Sequence, residues 1–311
     1  MSAYLVELTL RLAHGSGCLP DAERAAAAHY FHTAQQPDGG FRGRDGGSDL
    51  YYTGFALRAL SILGVLEGAP AERAADFVRG KLAAHESIVD FFSLIYAGQL
   101  LQASAGIDVF SRAGPAWRAN VAAALERLRR DDGGYAKGFE GHRSSTYHTF
   151  LVVLCLQLLQ QPIPDPEKIV QFLQQRQTDE GGFLEISVGK RAGSNPTAAA
   201  IGTLRILDAL DAVVVADTIE FLLELQTPDG GFQANTRIPF ADLLSTFTST
   251  LTLVDLQAAE RLDLPRIQRF VRGLRRDAGG YHAGSFDPSH DVEYSFYGLG
   301  CEALLAGLAA P

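Results

Sequence analysis

The sequence predicts an all-α protein, a single α/α toroid in which six helical hairpins form an inner barrel of parallel helices and an outer ring. Three observations carry this expectation. First, a phrase of an acidic or polar pair, two glycines and an aromatic keeps returning, with its first glycine at positions 39, 133, 181, 230 and 279. Second, the last three intervals are 48, 49 and 49 residues and the first is 94, close to two periods, so six repeats of about 48 residues are implied. Third, charged amphipathic helices alternate with helices that carry almost no charge. A helix that is apolar nearly all round must be buried on several sides. All six of these dry helices, the first and last included, are low in charge, which favours a closed ring over an open array.

Residues 1–20 read as an N-terminal extension, a partial helix and a loop from Gly15 to Pro20, and residues 21–311 as the toroid. Asp21 is expected to cap a wet helix from Ala22 to about Gln35, which the first double glycine ends. Asp49 then caps a dry helix from Leu50 to about Leu63. The second repeat lacks glycines and is placed at His85-Glu86-Ser87. Further wet helices are expected near 70–84, 115–130, 164–177, 215–226 and 263–275, with Pro115, Pro166 and Pro265 in or near first turns. Dry helices are expected near 88–103, 145–160, 195–209, 241–258 and 291–309, started by Ser87, Ser145, Asn195, Asp242 and Asp291. Parallel inner helices bring their N-termini, the positive ends of their dipoles, to one rim beside the glycine loops.

The net charge of −9 and the pI near 5.4 argue against a general nucleic-acid binder. Cys18, Cys155 and Cys301 have no paired spacing and read as reduced thiols of a cytoplasmic protein. The N-terminus has no basic region and places Glu7 early, so no signal peptide is expected. No run of about 18 apolar residues is free of charge, so an integral membrane protein is not expected.

The Gly-Gly-aromatic phrase resembles the repeat of the protein prenyltransferase β-subunits and of the related terpene cyclases. It lies closest to the former, whose dry helices open with phrases like Asp291-Val292-Glu293-Tyr294-Ser295, Asp49-Leu50-Tyr51-Tyr52-Thr53 and Ser145-Thr146-Tyr147-His148-Thr149. The resemblance implies an isoprenoid diphosphate substrate, a helical-repeat α-subunit as partner, and a zinc held by Asp, Cys and His. A separate partner, self-association and independence all remain open for this chain. Asp291 keeps the Asp, Glu293 stands for the Cys, and ring closure puts Tyr52 in place of the His. That oxygen-only set suits Mg²⁺ better than Zn²⁺. The cyclases' Asp-rich run is absent. The Gln of the thioester toroids is also missing after Cys18 and Cys301.

Candidate catalytic residues are therefore Asp291, Glu293, His148, Tyr294 and Tyr52, with Asp291 and Glu293 also the candidate metal ligands. His148 is the best general acid or base on its phrase. The loop cations Arg44, Lys137, Arg143, Lys190 and Arg191 are candidates for gripping the diphosphate. In the last repeat, where the resemblance places that grip, Gly284, Ser285 and Pro288 stand instead. Tyr51, Tyr147, Phe55 and Tyr297 belong to an aromatic lining for the isoprenoid tail, and the small residues from Thr197 to Thr203 leave room beside it. The expected function is prenyl binding with transfer to an acceptor. The alternatives are a non-catalytic toroid that binds a lipid or a partner, and a terpene cyclase with an atypical acid.

Overall fold

The computed structural model describes residues 3–82 and 87–309. Of the second repeat's phrase, His85 and Glu86 lie outside the described residues. Thirteen α-helices are present among those described: α1 Tyr4–Gly17, α2 Asp21–Ala34, α3 Leu50–Ile62, α4 Gly68–Gly80, α5 Ile88–Ala105, α6 Trp117–Glu126, α7 Thr146–Leu158, α8 Pro166–Gln174, α9 Ser194–Ile206, α10 Ala212–Glu224, α11 Leu243–Asp255, α12 Leu264–Gly273 and α13 Val292–Ala309. Two short antiparallel hairpins accompany them, β1 Phe232–Gln233 with β2 Ala241–Asp242, and β3 His282–Gly284 with β4 Asp287–His290. The wet and dry helices alternate as the sequence predicts.

The glycine phrase builds one recurrent turn. Gly181 has φ of 90° and a Cβ there would lie 2.3 Å from the carbonyl oxygen of Asp217 on the next wet helix. Only glycine combines that left-handed backbone with so close an approach. The second glycine, Gly182, lets the ring of Phe221 pack on the turn, where a Cβ would stand 2.5 Å away. Gly40, Gly134 and Gly231 receive Phe77, Phe172 and Phe270 in the same way. The aromatic after the glycines is then pinned by its own N–H, which donates to a hydroxyl in the following dry helix. Phe41 donates to Thr53, Tyr135 to Thr149, Phe183 to Thr197, Phe232 to Thr246 and Tyr281 to Ser295, at 2.9–3.2 Å. Each of these donors would otherwise be buried without a partner.

This turn also explains why several wet helices end earlier than their charge pattern suggests. Arg129, Gln177, Gln226 and Arg275 leave the helix to pair as antiparallel bridges with Tyr135, Phe183, Phe232 and Tyr281. Two caps differ from expectation. Asp21 is the first residue of α2, behind Pro20, and its carboxylate faces Arg24 at 3.5 Å instead of an amide. Helix α9 begins at Ser194 behind Gly193, so Asn195 lies inside the first turn and accepts from the Thr248 hydroxyl at 2.9 Å. The side chains of Asp49, Ser87, Ser145, Asp242 and Asp291 cap their helices as expected.

The chain forms two compact units, Met1–Arg118 with Val271–Pro311, and Ala119–Phe270. In the first unit the dry helices α13, α3 and α5 are consecutive neighbours, so the last repeat packs beside the first. Gly280 completes this, receiving the ring of Tyr30 from α2 at 2.7 Å from its would-be Cβ. The N-terminal residues form a full helix, α1, packed on α13 and α3. Gly15 makes the closest approach, since a Cβ there would sit 1.9 Å from the Ala303 carbonyl oxygen. In the second unit α9 lies between α7 and α11. Helix α5 has the length and apolarity to cross a membrane, with mean hydropathy 1.2, but 61% of it is buried inside the protein. A core helix passes the same test.

Candidate functional site

The first unit gathers four of the five candidate catalytic residues at the N-terminal ends of α3 and α13. Asp291 is buried, and its two oxygens are both used. Oδ1 accepts the Tyr294 N–H at 2.9 Å and Oδ2 accepts Arg44 Nε at 3.2 Å. Arg44 also donates through Nη1 to Asp287 Oδ2 at 2.9 Å and lies over the Tyr294 ring, 5.3 Å from its centroid. Arg44 is thus neutralised by two carboxylates, a different state from the open diphosphate grip that its spacing suggests.

In the first turn of α13, Glu293 accepts a hydrogen bond from the Tyr51 hydroxyl at 2.7 Å. Burial raises its carboxyl from the ordinary 4.5 to about 7, with a further upward push from Asp291. The Tyr51 hydrogen bond and the charges of Arg58 and Arg44 act the other way. At neutral pH Glu293 therefore holds and releases a proton with comparable ease. Tyr52 stands differently. Its ring lies against Gly43, where a Cβ would be 2.3 Å away, and Tyr51 supplies the hydroxyl that reaches Glu293.

Below this carboxylate an aromatic wall descends. Tyr51 meets Phe55 edge-on at 5.0 Å, Phe55 meets Phe296 at 5.5 Å and Tyr297 at 5.3 Å, and Tyr294 meets Tyr297 at 6.3 Å. Edge-to-face rings of this kind pack favourably beyond their buried area. At its lower end Arg58 lies over the rings of Phe55, Phe92, Tyr96 and Phe296, with centroid distances of 4.8–5.5 Å. Sequence reasoning missed Arg58, although it is the single charged residue of α3.

In the second unit, His148 follows the Ser145 cap of α7, donating its backbone N–H to Ser145 Oγ at 3.1 Å. Burial, with the charge of Lys137, holds its imidazole down at about 4, so it is neutral at physiological pH. Its Nδ1 is buried without a hydrogen-bond partner. The Ser145 hydroxyl donates to Glu185, whose carboxyl burial pushes upward. Lys137, Arg143, Lys190 and Arg191 are exposed on loops, as is Tyr147 on the first turn of α7. Arg191 reaches the Thr236 hydroxyl at 3.4 Å. The space expected beside the small residues of α9 is occupied. The Phe150 ring from α7 packs over Gly202, 2.8 Å from a would-be Cβ.

The zinc site implied by the resemblance does not fit these residues. Arg44 covers the free oxygen of Asp291, Glu293 is committed to Tyr51, and no three His, Cys, Asp or Glu side chains converge among the described residues. Cys155 and Cys301 are buried, with their thiols pushed well up by burial.

Comparison with known proteins agrees with the fold. The prenyltransferase alpha-alpha toroid domain matches residues 17–78, 77–233 and 199–310. The chain belongs to that family. Among solved structures it resembles a Candida albicans protein geranylgeranyltransferase-I complexed with GGPP, with TM-score 0.69, 14% identity and coverage of 89% of each chain. It also resembles a type II terpene cyclase, MstE from Scytonema, bound to geranylgeranyl dihydroxybenzoate, with TM-score 0.63, 14% identity and coverage of 98% and 99%. An α-1,6-mannanase from Salegentibacter shares the fold as well, at TM-score 0.60, 12% identity and coverage of 92% and 98%. At such identities the likeness concerns the fold, which hosts several chemistries. No curated protein matches the sequence.

Proposed function

We propose that this chain is a prenyltransferase-like protein that binds an isoprenoid along the aromatic wall of its first unit and serves an acceptor group through Glu293. The observation that carries the reading is a carboxyl raised to about 7, hydrogen-bonded by Tyr51 and set at the head of a row of edge-packed aromatic rings. Apolar burial of a prenyl tail contributes about 25 cal/mol per Å². The aromatic faces suit the positive charge that develops on an allylic carbon. The two relatives with named isoprenoid ligands support the substrate class.

In the reaction proposed, the allylic C–O bond of a prenyl diphosphate breaks and diphosphate departs with the bonding pair. A new bond forms from that carbon to a heteroatom of the acceptor, and the acceptor's proton passes to Glu293. A carboxylate matched to neutral pH is well poised for that proton. It is less suited to protonating an olefin, which calls for a stronger acid, so transfer is favoured over cyclisation.

The test is calorimetric binding of farnesyl and geranylgeranyl diphosphate, each with and without Mg²⁺ and Zn²⁺. It is followed by turnover with alcohol, phenol and thiol acceptors, and with no acceptor added. Glu293→Gln should leave binding intact and slow turnover at least 100-fold. Binding without turnover under every condition would favour a non-catalytic carrier, and a cyclised product would favour the cyclase reading. Absence of any binding would overturn the proposal.

A further inference from the structure

The family's usual place for a diphosphate grip, the loops of the last repeat, holds Gly284, Ser285 and Pro288 in this chain. The nearest rim cation, Arg44, already has two carboxylates. The first unit nevertheless contains another cation on a dry helix, and its surroundings are of a different kind.

Arg58 lies over rings from three neighbouring dry helices: Phe55 of its own α3, Phe92 and Tyr96 of α5, and Phe296 of α13. Among the described residues no carboxylate forms a salt bridge with it, although its charge is felt at Glu293, and its Nε is buried with no hydrogen-bond partner. A guanidinium has five N–H donors in a rigid fork that matches oxyanions. Ring faces hold its charge but satisfy none of those donors in the way an oxygen does, and a buried donor left unsatisfied is costly. The residue as a whole is only half-buried, so it is not sealed off as a core element would be. Tyr96, one of its four rings, is itself tied by its hydroxyl to Thr9 of α1 at 2.8 Å, which fixes that side of the cage. The cage is thus pre-formed and still lacks an acceptor.

A fixed positive charge in this position attracts an anion.

We propose that Arg58 is the oxyanion-binding residue of the isoprenoid site, so that the ligand's acidic end rests among the aromatic rings at Arg58 and not at Arg44. This rests on the isoprenoid reading above. Two sources could supply the oxyanion, the diphosphate of an allylic substrate or the carboxylate of a prenylated acid.

The experiment measures binding of three ligands of one chain length, geranylgeranyl diphosphate, geranylgeranoic acid and geranylgeraniol, to the wild type and to Arg58→Met, Arg58→Lys and Arg44→Met. In the wild type one or both anions should bind at least tenfold tighter than the alcohol. Whichever anion shows the advantage identifies the source. Arg58→Met should erase the advantage while binding the alcohol unchanged, Arg58→Lys should keep part of it, and Arg44→Met should keep most of it. Thermal melting provides the folding control, because Met fills the cage without an unsatisfied donor and should not lower the midpoint. Equal binding of anions and alcohol by the wild type would overturn the Arg58 proposal and leave the isoprenoid reading standing. So would an advantage that survives Arg58→Met. If none of the three ligands binds, both readings fall.

Discussion

The two units carry the same turn and cap but opposite electrostatics. At the head of α13, in the first unit, an acid is raised to about 7 and donated to by Tyr51, with Arg44 and Arg58 contributing nearby charge. At the head of α7, in the second, an imidazole is held down to about 4 with one buried nitrogen unpartnered. Burial drives both shifts, and in each case it favours the neutral form. The difference lies in what surrounds the group. Glu293 has a hydrogen-bond donor and an aromatic wall, whereas His148 has the Tyr147 ring at 5.9 Å and the like charge of Lys137. The repeat therefore supplies a common scaffold, and residues that do not repeat decide where proton chemistry is available.

The strongest test of the common scaffold is a glycine exchange in each unit. Gly39 and Gly181 both have φ near 90°, and a Cβ would lie 2.1 Å from Arg73 O in one case and 2.3 Å from Asp217 O in the other. Gly39→Ala and Gly181→Ala should each lose roughly 2–5 kcal/mol, from left-handed backbone strain together with overlap. Against a typical stability of about 5–15 kcal/mol, either loss shows plainly as a lower urea midpoint. A large loss in one unit and none in the other would break the claim that the turn works alike in both.

Acid and base titration should then separate the units. The raised Glu293 carboxyl contributes stability that is fully present below about pH 4.5 and is lost as pH rises through about 7. The depressed His148 contributes stability that is present above about pH 6.5 and is lost as pH falls through about 4. The two contributions oppose one another between those limits. Glu293→Gln, which mimics the neutral acid, should gain on the wild type as pH rises from about 4.5 to 7. His148→Gln should instead gain as pH falls from about 6.5 to 4. Melting curves across pH 4–8 read both, and slopes of the same sign would refute the assignment of one neutral acid and one neutral imidazole.

Much of the scaffold was legible because its determinants are local. Two glycines are demanded by a turn with positive φ and a ring packed on it, and a capping Asp or Ser immediately precedes every dry helix except α9. Where a reading failed, the missing information was orientation or distant packing. Tyr51 and Tyr52 are adjacent in sequence, and only the phase of α3 decides that Tyr51 meets Glu293 while Tyr52 lies on Gly43. The small residues of α9 suggested space, but the ring that fills it, Phe150, comes from a different repeat. Arg44 was legible as a rim cation, and its neutralisation by Asp287 and Asp291 depends on partners more than 240 positions away. The lone charge of α3 was the one local sign of the inner cation, and it became informative only with the rings of α5 and α13 around it.

The smallest effect sharpens the comparison most, because it asks what sets the Glu293 pKa apart from simple burial. The Tyr51 hydroxyl donates to Oε1 at 2.7 Å and stabilises the ionised form, so it holds the carboxyl below the value that burial alone would impose. Tyr51→Phe keeps the ring and its edge-on contact with Phe55 and removes only that donor. The loss of one such hydrogen bond should cost about 0.5–1.5 kcal/mol. It should also move the Glu293 midpoint upward from about 7, readable by carbonyl-edited NMR of the labelled protein. Tyr52→Phe, whose hydroxyl makes no such bond to Glu293, should leave the midpoint where it is. If the two variants shift it equally, the hydroxyl is not the tuning group, and the acid at α13 differs from the imidazole at α7 only by its chemical type.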